Sequence, residues 1–216
     1  MKFKHGKKLR ILDKKSVHIE DTVIMGDNVV IYENNRIQGE TVIGDNVVIM
    51  SGCVINNCKI GNNVTINSSQ TENSVIEDGC SVGPFARLRP NTYLNKNAKV
   101  GNFVEIKNAT IGEGTKINHL AYVGDADVGK NCNIGCGVIF VNYNGRSKSR
   151  SLIGDECFIG SNCNVIAPVK VEDRSYICAG TTVTNDTKTD DFVIGRVRQE
   201  NKENRAHKYL KERIGE

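Results

Sequence analysis

The chain of 216 residues contains no Trp, and aromatic residues make up only 6% of it. A core of packed rings is thereby excluded, so any core must come from aliphatic and small side chains. No apolar run approaches the roughly 20 residues needed to cross a bilayer, and the N-terminus lacks the apolar segment of a signal peptide. A cytoplasmic protein without a membrane span is expected. The eight Cys form no Cys-x-x-Cys pair of the kind that holds zinc. They also lack the secreted context in which spacing reads as a disulfide framework. Charge of one sign is scarce as well: the formal net charge is only +4, and it gathers at the ends. Lys2, Lys4, Lys7, Lys8, Arg10, Lys14 and Lys15 crowd the start, and the stretch from Arg196 to Arg213 is again basic. These read as solvated termini rather than a nucleic-acid surface.

What the chain does have is a period. Aliphatic residues recur six apart at Ile19, Met25, Ile31, Ile37, Ile43, Ile49 and Ile55, and after a five-residue step at Ile60 and Ile66. The rhythm resumes from Ile76 to Ile106, runs on through Ile111, Ile117, Val123, Val128 and Ile134, and returns from Ile153 to Val183. A helix would repeat about every 3.6 residues and a half-buried strand about every two. Six fits a short strand and a turn with one large aliphatic pointing inward. Gly often follows that aliphatic, and Asp-Asn or Asn-Asn pairs such as Asp27-Asn28 and Asn62-Asn63 come next, residue types that tolerate turns. Four residues after the aliphatic lies a second slot for small or β-branched side chains. It holds Val23, Val29, Thr41, Val47, Ala86, Thr92, Ala98, Thr115, Ala121 and Thr181, and also Cys53, Cys80, Cys132, Cys157 and Cys163. Those thiols read as core filler.

The repeat breaks in three places. Residues 67–75 read as a small polar loop. Val141 to Leu152 is longer and basic, with Arg146, Lys148 and Arg150. After Asp186 the period is lost, and a polar helix with Ala206, Leu210 and Ile214 on one side is expected. Stacked units of this kind bury a continuous core that no single repeat could bury alone. The pattern resembles the hexapeptide-transferase superfamily. That resemblance implies an all-β fold, a left-handed parallel β-helix of hexapeptide repeats with a short C-terminal helical tail. It also implies a homotrimer with active sites between neighbouring subunits. The expected organisation is a basic N-terminal segment over 1–16, the β-helix over 17–186, and a C-terminal arm and helix over 187–216.

More specific motifs lie between Gly83 and Arg196. They are Gly-Pro-Phe-Ala-Arg-Leu-Arg-Pro at Gly83 to Pro90, Val-Gly-Asn-Phe-Val-Glu-Ile-Lys at Val100 to Lys107, and His-Leu-Ala-Tyr-Val-Gly-Asp-Ala at His119 to Ala126. Asn-Ile-Gly-Cys-Gly at Asn133 to Gly137, Val-Asn-Tyr-Asn-Gly at Val141 to Gly145 and Ala-Gly-Thr-Thr-Val-Thr at Ala179 to Thr184 follow. Together they resemble the acetyltransferase half of the bacterial bifunctional N-acetylglucosamine-1-phosphate uridyltransferase/glucosamine-1-phosphate N-acetyltransferase family. The nucleotidyltransferase half opens with a Gly-rich nucleotide loop, and residues 1–16 contain none. Uridylyl transfer is not expected of this chain, and a separate nucleotidyltransferase is a conceivable partner.

The implied reaction is attack of a sugar amine on the thioester carbonyl of acetyl-coenzyme A, the co-substrate. A base must take a proton as the bond forms, a role neutral His fills near pH 7. Of four His, only His119 stands within a matched motif and outside both inward slots. The resemblance maps the amino-sugar-phosphate contacts onto Arg89, Lys107, Tyr122, Asn133 and Lys148. Arg grips phosphate with paired hydrogen bonds, while Lys offers a point charge. Coenzyme contacts map onto Cys136, Asn142, Tyr143, Ser161, Ala179 and Arg196. Cys136, Ser161 and Ala179 would act through main-chain groups, and Arg196 would meet a phosphate. Cys136 replaces the Ala of the family pattern, and Arg198 its Pro. No metal is expected, since three His cannot converge as a zinc carbonic anhydrase on this fold would require. Two alternatives stay open at the level of sequence: another amino-sugar acceptor, including a nucleotide-linked one, and a non-catalytic trimeric scaffold.

Overall fold

The computed structural model describes residues 3–210, folded as an all-β parallel solenoid. Short strands stack coil upon coil on three faces of a prism. Met25 pairs with Ile43, Ile43 with Ile60, Ile60 with Ile76, and Ile76 with Leu94, all parallel. One full turn therefore consumes about three six-residue repeats: 18 residues from Met25 to Ile43 and from Ile76 to Leu94, 17 from Ile43 to Ile60, and 16 from Ile60 to Ile76. Neighbouring coils lie about 4.8 Å apart, the ordinary strand spacing. The second face forms an eleven-stranded sheet of its own. The first and third fuse into eighteen strands, because Glu105–Ile111 and Tyr122–Val128 run continuously around the corner between them.

The inward aliphatics form the core: Ile31, Ile37, Ile43, Ile49, Ile55, Leu88, Ile106 and Ile111 are fully buried. Each such side chain contributes about 1.5–3 kcal/mol relative to exposure. The small slot is buried as expected, from Val23 to Thr181. Seven of the eight free thiols are buried in the prism, Cys136 being exposed. Corners are made by left-handed residues, among them Asn28, Asn46 and Asn63. Carboxylates and amides at one corner cap the preceding coil: Asp27 N donates to Asp45 Oδ1 at 2.7 Å, and Asp45 N to Asn62 Oδ1 at 2.8 Å. That ladder explains the Asp-Asn and Asn-Asn pairs physically. Each side chain satisfies a main-chain donor that the turn leaves free.

Three expectations change. Residues 67–75 do not form a loop but a regular coil, with strands Gln70–Glu72 and Ser74–Ile76. Thr71 fills the inward slot, 1% exposed, between Ile55 and Leu88. A threonine there hides the repeat from a search for aliphatics. The coils also begin inside the segment expected to be an N-terminal extension: Lys4–His5 pairs with Ile24–Met25, and Arg10–Ile11 with Val30–Ile31, with Phe3 buried beneath. Past Asp186 a further strand, Phe192–Val193, pairs with Tyr176–Ile177. The helix is short, His207–Leu210; Ala206 immediately precedes it, and Ile214 lies outside the described residues. Among the described residues no helix is long and apolar enough to cross a membrane.

Candidate active site

His119 ends the strand Lys116–His119 at the corner between the second and third faces. Asn102 faces it from the preceding coil, and Asn102 Oδ1 lies 2.9 Å from His119 Nδ1. An amide oxygen only accepts, so Nδ1 carries the hydrogen, and Nε2 is the ring nitrogen left without a partner among the described residues. The coils stack the other residues of this corner in a column. Gly137 N donates to Leu120 O, Asn162 N to Cys136 O, and Gly180 N to Ser161 O. The strand register, with Ile117 opposite Ile134, Ile134 opposite Ile159 and Ile159 opposite Ile177, sets His119, Cys136, Ser161 and Ala179 one after another along the solenoid axis. Arg196 closes the column, its Nη1 donating to Ala179 O at 2.7 Å. Gly160 permits the tight stacking: a Cβ there would lie 2.4 Å from Ala179 N. Small residues thus leave main-chain groups accessible along the column.

The corner between the third and first faces carries a second group. Arg89, Lys107 and Lys148 line a recess of about 570 Å³. Arg89 pairs with Glu105 at 2.9 Å, and Lys107 Nζ lies 3.5 Å from Asp125 Oδ2. Lys107 crowds Lys148 and holds its pKa below the ordinary lysine range, with Arg89 adding to the repulsion. Lys148 arrives on the loop 142–150, where it bridges Tyr143. Tyr143 OH donates to Gly145 O at 2.8 Å. Asn142, at the foot of the loop, donates through Nδ2 to Asp125 Oδ2 and stands 3.5 Å from Tyr122 OH. Gly124 lets the Tyr122 ring lie flat, since a Cβ there would sit 2.3 Å from the phenol oxygen.

Within one chain, then, the structure gathers His119 with Cys136, Ser161, Ala179 and Arg196, and gathers Arg89 with Lys107, Lys148, Tyr122, Asn142 and Tyr143. Asn133 joins neither group; it lies on the second face between Lys116 and Phe158. The sequence reading missed Asp125, the hub of the recess. It is 6% exposed and accepts from Asn108 Nδ2 at 2.6 Å as well as from Asn142 and Lys107. Burial pushes its pKa up, but the two amides and the lysine outweigh it, so the carboxyl titrates below its usual range. A signal was present: Gly124-Asp125-Ala126-Asp127 sets two carboxylates into a stretch where the repeat calls for small apolar residues. Asn102 was also missed, because nothing in the sequence says that it faces His119.

Family models match three stretches: the GMPPB C-terminal domain over residues 70–142, the hexapeptide repeat of succinyl-transferase over 152–185, and the bacterial transferase hexapeptide over 40–69. The chain belongs to the hexapeptide-repeat acyltransferases. It is 45% identical over 191 residues to the bifunctional protein GlmU of Clostridium beijerinckii, covering 88% of this chain and 42% of that protein. With the bifunctional protein GlmU of Caldicellulosiruptor saccharolyticus it shares 48% identity over 198 residues, 92% of this chain and 43% of the relative. The chain thus spans less than half the length of these curated relatives. Among solved structures, the Arabidopsis UDP-N-acetylglucosamine acyltransferase matches 87% of this chain and 66% of its own, with a TM-score of 0.51 at 16% identity. That likeness is one of fold.

Proposed function

We propose that this chain transfers the acetyl group of acetyl-coenzyme A to the amine of glucosamine-1-phosphate, giving N-acetylglucosamine-1-phosphate, and that it works as a homotrimer. The observation that carries the reading is the pairing of two corners. One bears a histidine with a free Nε2 followed by small residues along an edge. The other bears a recess with three cations suited to a phosphate. In the reaction the amine attacks the thioester carbonyl, the C–N bond forms, and the C–S bond breaks. His119 Nε2 accepts the proton that the amine sheds, and the imidazolium returns it to the departing thiolate. Asn102 keeps the ring turned so that Nε2 is the atom offered. Arg89, Lys107 and Lys148 hold the phosphate, with Tyr122 on the sugar. The acyl donor runs along Cys136, Ser161 and Ala179 to Arg196, with Asn142 and Tyr143 closing over it. No uridylyl transfer is included, since the repeats hold no nucleotide loop.

The distance between the two corners supports the trimer. Past the left-handed turn at Leu120, four residues of the third face, roughly 13 Å at about 3.3 Å each, separate this corner from Gly124. One sugar phosphate does not span that gap, whereas a second copy can bring its recess to the column. Phe85, Phe103 and Leu120, 60%, 57% and 56% exposed, share the corner with His119, and all three are held at positive φ. Bulky residues in that conformation cost energy, and an exposed apolar ladder of this kind suits an interface. The test is thiol release measured across a panel of amino-sugar phosphates and nucleotide-linked amino sugars. The reading expects glucosamine-1-phosphate to give the highest kcat/KM. Preference for a nucleotide-linked amine would replace the acceptor, and no acetyl transfer to any amine would overturn the reading.

A further inference from the structure

Four cations line the recess: Arg89, Lys107, Lys148 and Arg150. Arg89 and Lys107 each commit one ion pair, to Glu105 and Asp125, and keep donors free. Arg150 does not. Its Nε donates to Asp127 Oδ2 at 2.7 Å and its Nη2 to Asp127 Oδ1, a bidentate grip. The same Nη2 donates to Ala126 O at 2.9 Å, and Nη1 to Asn108 O at 2.8 Å. Of the donors a guanidinium possesses, a single N–H on Nη1 remains. The acceptors sit on two successive coils, with Ala109 paired to Ala126 and Ala126 to Ser151, the residue following Arg150. Arg150 therefore ties three coils together at the foot of the loop.

The opposite foot is tied by the same strand. Asn142 binds Asp125 and Arg150 binds Asp127, both within Tyr122–Val128. Between the feet the loop closes on itself. Asn144 Oδ1 accepts from Arg146 N and Ser147 N at 2.9 and 2.8 Å, and Ser149 N donates to Asn142 O at 2.9 Å. Lys148 thus stands two residues from a rigid anchor. We propose that Arg150 is a positioning residue: its grip on Asp127 sets Lys148 in the recess, and it does not itself hold the substrate's phosphate. The proposal rests on the reading of the recess as a sugar-phosphate site.

Simple charge counting makes the opposite forecast. If the recess only sums its charges, removing the carboxylate of Asp127 draws phosphate in more strongly. If Arg150 works through its grip, the same removal frees the loop foot and weakens binding. Arg150→Lys separates the roles in another way, since it keeps the charge and loses the fork. The experiment measures KM for glucosamine-1-phosphate and kcat for Asp127→Asn and Arg150→Lys, each alone and combined with Lys148→Ala. KM is expected to rise roughly tenfold or more in both single variants, the size of one lost charge-assisted contact. At saturation kcat should stay within about twofold of wild type. On the Lys148→Ala background the further rise should largely vanish, because the contact being positioned is gone. A lowered KM in Asp127→Asn, a wild-type KM in Arg150→Lys, or full additivity with Lys148→Ala overturns the proposal. Circular dichroism checks folding, and the Arg150→Lys cycle decides alone if Asp127→Asn does not fold. A wild-type protein without turnover would refute the assigned acceptor instead; calorimetric titration with inorganic phosphate then carries the same comparison.

Discussion

Removing the side chain of Asn102 tests the base most directly, because Asn102 touches the reaction only through His119. The 2.9 Å contact with Nδ1 is a single side-chain hydrogen bond at an exposed corner, so it is worth about 0.5–1.5 kcal/mol. If all of that is orientation of the imidazole, Asn102→Ala lowers kcat by roughly 2- to 12-fold. His119→Ala removes the base itself and should lower kcat by roughly 10² to 10⁴. KM for both substrates should barely move in either variant. The decisive measurement is the double variant, assayed by thiol release at saturating substrates. With the ring gone, Asn102 has nothing to orient, and the double variant should be no slower than His119→Ala. Equal losses from Asn102→Ala with and without the histidine would refute the arrangement, and so would near-normal kcat in His119→Ala at pH 7. Asn102→Asp gives an independent sign: a carboxylate beside Nδ1 favours the imidazolium. The acidic limb of kcat/KM should then move to higher pH.

Lys107→Ala should raise KM for the sugar phosphate while sparing kcat, in contrast to His119→Ala; equal loss in kcat would move Lys107 into the chemistry. Lys148 has a depressed pKa, so as pH rises the recess loses this cation before an ordinary lysine would discharge. The kcat/KM for the phosphate substrate should fall on the alkaline side, and Lys148→Arg, which stays charged, should move that fall to higher pH; identical profiles would remove Lys148 from the site. Light scattering should find a trimer, and a stable monomer with full activity would refute the shared site. Ile106→Ala, in the middle of the aliphatic column, should cost about 2–5 kcal/mol in denaturant unfolding, and a loss well below that range would mean that the coil collapses around the gap.

The coils were legible because burial in a prism is periodic. A six-residue apolar rhythm has no other economical solution, and Ile, Val, Leu and Cys at the inward slots announce it directly. Where a polar residue takes an inward slot the signal fails, as at Thr71, and the coil reads as a loop. At the N-terminus, basic residues at the outward positions of Lys4–His5 and Arg10–Ile11 mask two strands whose pairing is supplied by the next coil.

The candidate site divides in the same way. Its candidate residues were named because their motifs resemble those of a known family, which side-chain chemistry alone would not have done. Sequence by itself determined the solenoid and the slots, and it offered candidates for the site. Only the tertiary structure decided who meets whom. Stacking at the strand spacing set His119 beside Asn102 and ahead of Cys136, Ser161 and Ala179, although 17 residues separate His119 from Asn102 in the chain. It also turned Asp125 and Asp127 from anomalies of the repeat into the anchors of a loop. The physical reason is that register is a property of the stack: parallel pairing aligns Met25, Ile43, Ile60, Ile76 and Leu94 on one face although the coils between them differ in length, so strand pairing, not spacing along the chain, sets which residues share a corner.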